Sequence, residues 1–278
     1  MRVLVLSPGT LQQQLERLPA LAAAAEQLNA TIQVACPLAH RQGWELLPAV
    51  EKVIPFGFDE DSNLSDWANL LGTVREPDFQ VCFNFASGRQ VNLMLGMSHI
   101  PTRIALDGFS TTDQIQPGSG WKAQKTSSFL QPIGLKLDAD AFRLSLPAAA
   151  LDSVRADQPA GDGPLLLLAP GQDNNDWPAD RWQRLPGSIR QRLDSLRSQH
   201  LPAGGKLNIR AAQVACSDVV LSSCPVTQLL AVYAGVPLVA LGADEADLPT
   251  RQGVRCLGGA GSDLRDLSEQ DVLSALGF

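Results

Sequence analysis

Charge is scarce in this chain of 278 residues. Asp, Glu, Lys and Arg together make up 18%, and 22 basic residues face 29 acidic ones for a net charge of −7. That balance excludes nucleic acid or an anionic membrane as the dominant partner. Long apolar runs are absent too. No window approaches the ~18 unbroken apolar residues of a membrane-spanning helix. The opening MRVLVLSPGT is too short for a secretory core and reads as a strand. The five cysteines (Cys36, Cys82, Cys216, Cys224, Cys256) are scattered, odd in number and without a CxxC pair. They read as reduced thiols of a cytoplasmic protein rather than zinc ligands, and no metal site is expected. The three histidines, His40, His99 and His200, belong to no metal-ligand or Ser-His-Asp pattern, and no GxSxG is present, so hydrolysis has no support. SPGTLQ is not the GxGxxG of a dinucleotide-binding turn. No cofactor is called for. No low-complexity segment occurs.

What is present is an alternation of strands and helices. The stretch 165–182, LLLLAPGQDNNDWPADRW, puts a short apolar run of buried-strand length before Pro170-Gly171 and a polar loop. Asp176-Trp177-Pro178 then restarts the chain as a helix, with Pro178 where its missing N–H costs nothing. Strand, polar loop and helix N-terminus form the ligand-facing edge of an open α/β sheet. The chain opens in the same way, with VLVLS, Pro8-Gly9-Thr10 and a leucine-spaced helix. The fold class expected is therefore α/β, with two Rossmann-like domains facing across a cleft: residues 1–146, a Pro- and Gly-rich linker 147–164, and residues 165–278.

In the first domain, strands are expected at 2–7, 31–35, 53–54, 79–85 and 102–106. Helices are expected at 11–28, kinked or split by Pro19, and at 41–47, 64–74 and 88–97. Residues 107–136 break the pattern, and so long an irregular stretch is expected to be functional, a lid or mobile. Within it, Trp121 beside Lys122 and Lys125 reads as a plug, with stacking on a sugar or anchoring of a partner as the functional alternative. Trp44 reads as core. In the second domain, an arginine-rich helix is expected from about 179 to 198. It is followed by a turn at LPAGGK, a short helix ending at 211–215, a strand at 218–221, a helix at 226–234, a strand at 237–241 and a last helix at 268–276.

Four stretches together resemble the family 9 glycosyltransferases, which include the ADP-heptose–lipopolysaccharide heptosyltransferases. They are RVLVLSPGTLQQQLERLPALAAA, PDFQVCFNFASGRQVNLMLGMSHIPTRIALDG, PGQDNNDWPADRWQRL and SDVVLSSCPVTQLLAVYAGVPLVALG. The WPxxRW spacing is the most specific of these features. The resemblance implies a GT-B architecture. It places an acceptor-side loop at Pro8, Gly9, Thr10 and Gln13. It places a nucleotide-sugar donor on Gly171, Trp177 and Arg181, and on the helix start at Pro225, Val226, Thr227 and Gln228. It also implies an envelope glycan or lipopolysaccharide precursor as acceptor.

The departures from the family pattern all fall on the site. Where the resemblance implies an aspartate as general base, Gln13 stands, and an amide accepts no proton at neutral pH. Asn175 replaces a lysine that would face the diphosphate. The donor loop, normally D-T-G-x-x-H, keeps neither its aspartate nor its histidine at 223–229. The second domain is short by about one strand–helix unit between the arginine-rich helix and Ala211. Asp107 and Asp173, both on loops after strands, are the candidate substitute bases, with ordinary loop aspartates as the plain alternative. Two functional readings follow: a sugar transferase, or a relative that kept the fold, lost the reaction and binds a protein partner or a sugar or nucleotide without turnover.

Overall fold

The computed structural model of the chain describes residues 1–58, 62–202 and 204–278. It divides into two units, Met1–Phe142 and Arg143–Phe278. The first unit begins with β1 (Arg2–Leu6), α1 (Leu11–Leu28), β2 (Thr31–Cys36) and β3 (Val50–Pro55). It continues with α2 (Leu64–Arg75), β4 (Val81–Asn84), α3 (Arg89–Met97), β5 (Thr102–Ala105), β6 (Asp113–Gln114) and α4 (Lys122–Lys125). The sheet order is β3-β2-β1-β4-β5-β6, with every pairing parallel. Residues 3–6 of β1 and the whole of β4 are buried. That is why VLVL and VCFN read as unbroken apolar runs rather than alternating ones.

The second unit holds α5 (Ala148–Ala156), β7 (Leu165–Ala169), α6 (Ala179–Arg190), β8 (Arg197–His200) and α7 (Leu207–Ala215). It ends with β9 (Val219–Ser222), α8 (Pro225–Ala234), β10 (Leu238–Leu241), β11 (Val254–Leu257) and α9 (Glu269–Leu276). Its sheet order is β11-β10-β9-β7-β8, again all parallel. The first sheet has six strands and the second five. The α/β class with two Rossmann-like sheets is as expected.

Several element bounds differ from the sequence reading, each for a physical reason. The arginine-rich helix stops at Arg190, and Arg197 lies in β8. Leu193 and Leu196 keep helical spacing after the turn because both pack on the core that Leu185 and Ile189 also enter. The segment before β9 therefore carries a strand and a helix, β8 and α7. The LPAGGK turn itself includes Ala203, outside the described residues. Helix α1 runs through Pro19 as one element. The 41–47 helix is a 3₁₀ helix over Leu38–Leu46. The stretch 147–164 contains α5, which packs on α7 and belongs to the second unit.

Within residues 107–136, the part from Lys122 to Phe129 packs on α1, Asp113–Gln114 pair with β5, and Asp107 to Phe109 are exposed. Ala123, Phe129 and Leu130 are buried. Gln27 on α1 donates to the Lys136 carbonyl (2.7 Å) and accepts from its N–H (3.1 Å). Trp121 is a plug: it is 5% exposed, and its Nε1 donates to Asp140 Oδ1 at 2.8 Å. Trp44 is core, 1% exposed.

Candidate functional site

In each sheet the chain reverses its direction of growth at one point, where loops part and leave a crevice at the carboxyl ends of the strands. In the first unit that point lies between β1 and β4. The loop after β1 is fixed by polar side chains. Thr10 caps α1, with its Oγ1 accepting from the Gln13 N–H (3.4 Å) while Gln13 Oε1 accepts from the Thr10 N–H (2.9 Å). This reciprocal capping box consumes Gln13. It also dictates Gly9: at φ 93°, an added Cβ would fall 1.8 Å from Gln13 Oε1.

Beneath this loop Gln14 donates to the carbonyls of Ser7, Pro8 and Gly9 at 3.1 to 3.2 Å. Gln14 Oε1 accepts from Ser7 Oγ (2.5 Å) and from Trp44 Nε1 (3.1 Å). Arg17 Nη1 donates to Ser7 Oγ (2.5 Å) and to the Pro8 carbonyl (2.7 Å). Its guanidinium lies 4.6 Å from the Phe85 ring centroid. Burial brings the Arg17 pKa down to about 10, because a guanidinium removed from water holds its proton less firmly. Gln14 and Arg17 were not singled out in the sequence. The available signal was two polar residues on the face that Leu15 and Leu18 bury. Asp107 is exposed in the loop after β5, where its carbonyl accepts from Thr111 Oγ1.

In the second unit the reversal lies between β7 and β9, whose last residues, Ala169 and Ser222, stand in register. Gly171 N–H donates to Ser223 Oγ across this point at 2.7 Å. Gln228 Nε2 donates to the Ser222 and Leu241 carbonyls (2.8 and 3.0 Å), tying the ends of β9 and β10 together. A cavity of 440 Å³ opens here, bordered by Asp173, Asn175, Asp176, Ser223, Gly242 and Ser262 among others. Two carboxylates and no Lys, Arg or His line it among the described residues. This wall suits hydroxyls and amides; an anion would meet only backbone N–H groups at the start of α8.

Of the residues assigned to this site from sequence, Gly171, Asp173 and Pro225 come together on the cavity. Val226 is half-buried just beyond it. Thr227 and Gln228 are buried and occupied: Thr227 Oγ1 accepts from Arg210 Nη1 at 3.0 Å, and Gln228 bonds as above. Arg181 is spent on the carbonyls of Arg265 (3.0 Å) and Leu267 (2.5 Å). Trp177 is buried, donates from Nε1 to the Leu267 carbonyl (2.9 Å) and meets Trp182 edge to face at 5.3 Å. The conspicuous WPxxRW signature thus anchors α6 to the segment before α9. Ser262 carries no recognisable sequence signal.

No family model and no curated protein matches this chain by sequence. Solved structures do. A Veillonella parvula glycosyl transferase of family 9 superposes with a TM-score of 0.76 at 13% identity, over 99% of this chain and 95% of that one. The E. coli ADP-heptose lipopolysaccharide heptosyltransferase II gives 0.74 at 16% identity, covering 99% and 97%. An E. coli heptosyltransferase solved with ADP-2-deoxy-2-fluoro heptose gives 0.73 at 15%, covering 99% of each chain. The fold is that of the family 9 glycosyltransferases. Both units take part in the likeness, since nearly the whole chain is covered. No described helix is long and apolar enough to cross a membrane.

Proposed function

We propose that the chain is a glycosyltransferase-like protein of the heptosyltransferase kind. In this reading it takes a nucleotide-sugar at the crevice between β7 and β9 and transfers the sugar to an envelope glycan or lipopolysaccharide precursor held by the first unit, in the cytoplasm. The observation that carries it is the full-length likeness to a heptosyltransferase solved with an ADP-sugar analogue, together with a cavity at the switch point of the second sheet. The diphosphate would rest on the free N–H groups at the start of α8, where backbone donors and the helix dipole act without a cationic side chain. The base would be Asp173, on the cavity wall, or Asp107 in the first unit.

One observation favours a second reading, a relative that binds without turnover. Gln13 is locked in a capping box and no cation lines the crevice among the described residues, so base and charge are both missing from their expected places. A thermal-shift and transfer experiment with nucleotide-sugars separates the two. Stabilisation with transfer, abolished by Asp173→Asn or Asp107→Asn, supports the transferase. Stabilisation without transfer supports the binding relative, and no stabilisation by any nucleotide at millimolar concentration removes the nucleotide-sugar reading.

A further inference from the structure

Helices α2 and α3 pack against each other on one face of the first sheet, and their inner sides bury Leu70, Val74, Val91, Met94 and Leu95. Their outer sides are unusual for a surface in water. On α2, Leu64, Ala68 and Gly72 recur every four residues, the row continues to Glu76, and all four are exposed. On α3, Arg89, Leu93 and Met97 form the matching exposed row, with Gly96 beside it. Leu64 is 81% exposed, Leu93 54% and Met97 43%. Phe109, 74% exposed, stands next to this face on a loop fixed to α3. There the Ser110 N–H and Oγ both donate to Asn92 Oδ1 (3.2 and 2.9 Å).

The glycines show what the face is shaped for. A glycine inside a helix costs about 1 kcal/mol relative to alanine. Nothing within this chain offsets that cost at Gly72, where an added Cβ would meet no atom within 4 Å. At Gly96 the nearest atom to an added Cβ is Ser110 Cβ, at an ordinary 3.9 Å. Together with Ala68 these positions leave a shallow trough between apolar ridges, which lets another helix approach closely. A bilayer surface favours bulky side chains and a cationic rim instead, and this face belongs to a chain of net charge −7.

The charges at its ends select the partner. In an all-parallel sheet, α2 and α3 both run from the carboxyl edge back to the amino edge. Arg89 therefore marks one end of the face and Glu76 the other, with Asp78 exposed close by. Neither Arg89 nor Glu76 has a side-chain hydrogen bond or ion pair among the described residues. Neighbouring charges are engaged elsewhere: Asp66 Oδ2 accepts from the Asn63 N–H (3.0 Å), and Arg75 Nη2 donates to His99 Nε2 (2.6 Å). We propose that this face binds a second copy of the chain, across a two-fold axis that sets the two α2–α3 layers antiparallel. Such an axis brings Arg89 of each copy to the acidic end of the other, so the patch is complementary to itself. Helices of about 18 and 14 Å give a small footprint, and the expected dissociation constant is on the order of 10 µM. The pairing requires neither nucleotide nor sugar and stands apart from the transferase reading.

The test is sedimentation equilibrium of the full chain up to about 200 µM, well above the expected dissociation constant. A monomer–dimer equilibrium is expected. Gly72→Gln fills the trough at an open position and is expected to weaken the dimer about tenfold or more. Its melting temperature at about 1 µM, where the chain is monomeric, is expected to match or exceed that of wild type, because glycine is the poorer helix former. Arg89→Glu and Glu76→Arg are each expected to weaken the dimer about fivefold, and the double variant to recover most of the loss. A chain that stays monomeric throughout overturns the proposal, and so does a dimer that Gly72→Gln and Arg89→Glu leave unchanged. A monomeric chain that instead floats with vesicles of phosphatidylglycerol and phosphatidylethanolamine, and loses this in Phe109→Ser, also overturns it and gives the face to a lipid surface.

Discussion

The carboxyl edges of the two sheets solve the same problem in opposite ways. At the first, polar side chains satisfy one another: Gln14, Arg17, Ser7 and Trp44 fill the space under the β1–α1 loop, leaving Gln13 to cap the helix. At the second, staples such as Gln228 and the Gly171–Ser223 bond hold strand ends together, while a cavity of 440 Å³ remains open beside them. One edge has its polarity committed to stability, and the other keeps polarity available to a ligand. Substitutions should therefore cost folding at the first edge and binding at the second.

The largest expected effect is at the first edge. Arg17→Ala removes a buried guanidinium and leaves Ser7 Oγ and the Pro8 carbonyl with only their bonds to Gln14, and should cost about 3 to 4 kcal/mol in urea unfolding. A cost below about 1 kcal/mol would mean that the network contributes little and would erase the contrast. Gln228→Leu, the second unit's nearest equivalent, removes the side-chain hydrogen bonds to the Ser222 and Leu241 carbonyls. Its expected cost is about 2 kcal/mol, and a larger loss than that of Arg17→Ala would reverse the ranking of the two edges.

The pH dependence sharpens the first edge further. Burial pushes the Cys36 thiol up to about 11, so the folded state favours the neutral thiol. That contribution is complete below the ordinary thiol value and is lost as pH rises from about 9 to about 11, on the order of 2 kcal/mol in total. Arg17, held down at about 10, works in the opposite sense above that pH. The Cys36 term is therefore read as the difference between wild type and Cys36→Ala, and identical alkaline profiles of the two proteins would contradict it. The smallest effect concerns binding. Asn175→Lys, on the crevice wall, should change stability by no more than about 0.5 kcal/mol. It should tighten ADP binding about tenfold, or about 1.4 kcal/mol, and an unchanged affinity would show that missing charge is not what distinguishes this crevice.

The strands visible in the sequence were those buried on both faces, because LLLLA, VLVL and VCFN have no other use. The strands that escaped are at the sheet edges: β8 (RSQH), β11 (VRCL) and β6 (DQ) each pair on one side only. Half-exposed backbone tolerates polar residues, so no periodicity marks these segments. The site was legible as a place but not as a set of side chains. Pro170-Gly171 and the start of α8 mark the crevice, whereas Arg181, Thr227 and Gln228, conspicuous as ligand groups, are satisfied by backbone carbonyls and by Arg210. Sequence shows that a polar residue follows a strand; only packing decides whether it turns inward.

The central claim is that the open edge of the second unit receives a nucleotide-sugar. Its most direct test is the melting temperature of the full chain with ADP, other nucleoside diphosphates and their sugar conjugates at millimolar concentration. The account predicts a rise with one diphosphate and a larger rise with its sugar conjugate, about 2.7 kcal/mol of stabilisation at a hundredfold excess over Kd. An unchanged melting temperature across the whole panel would contradict it.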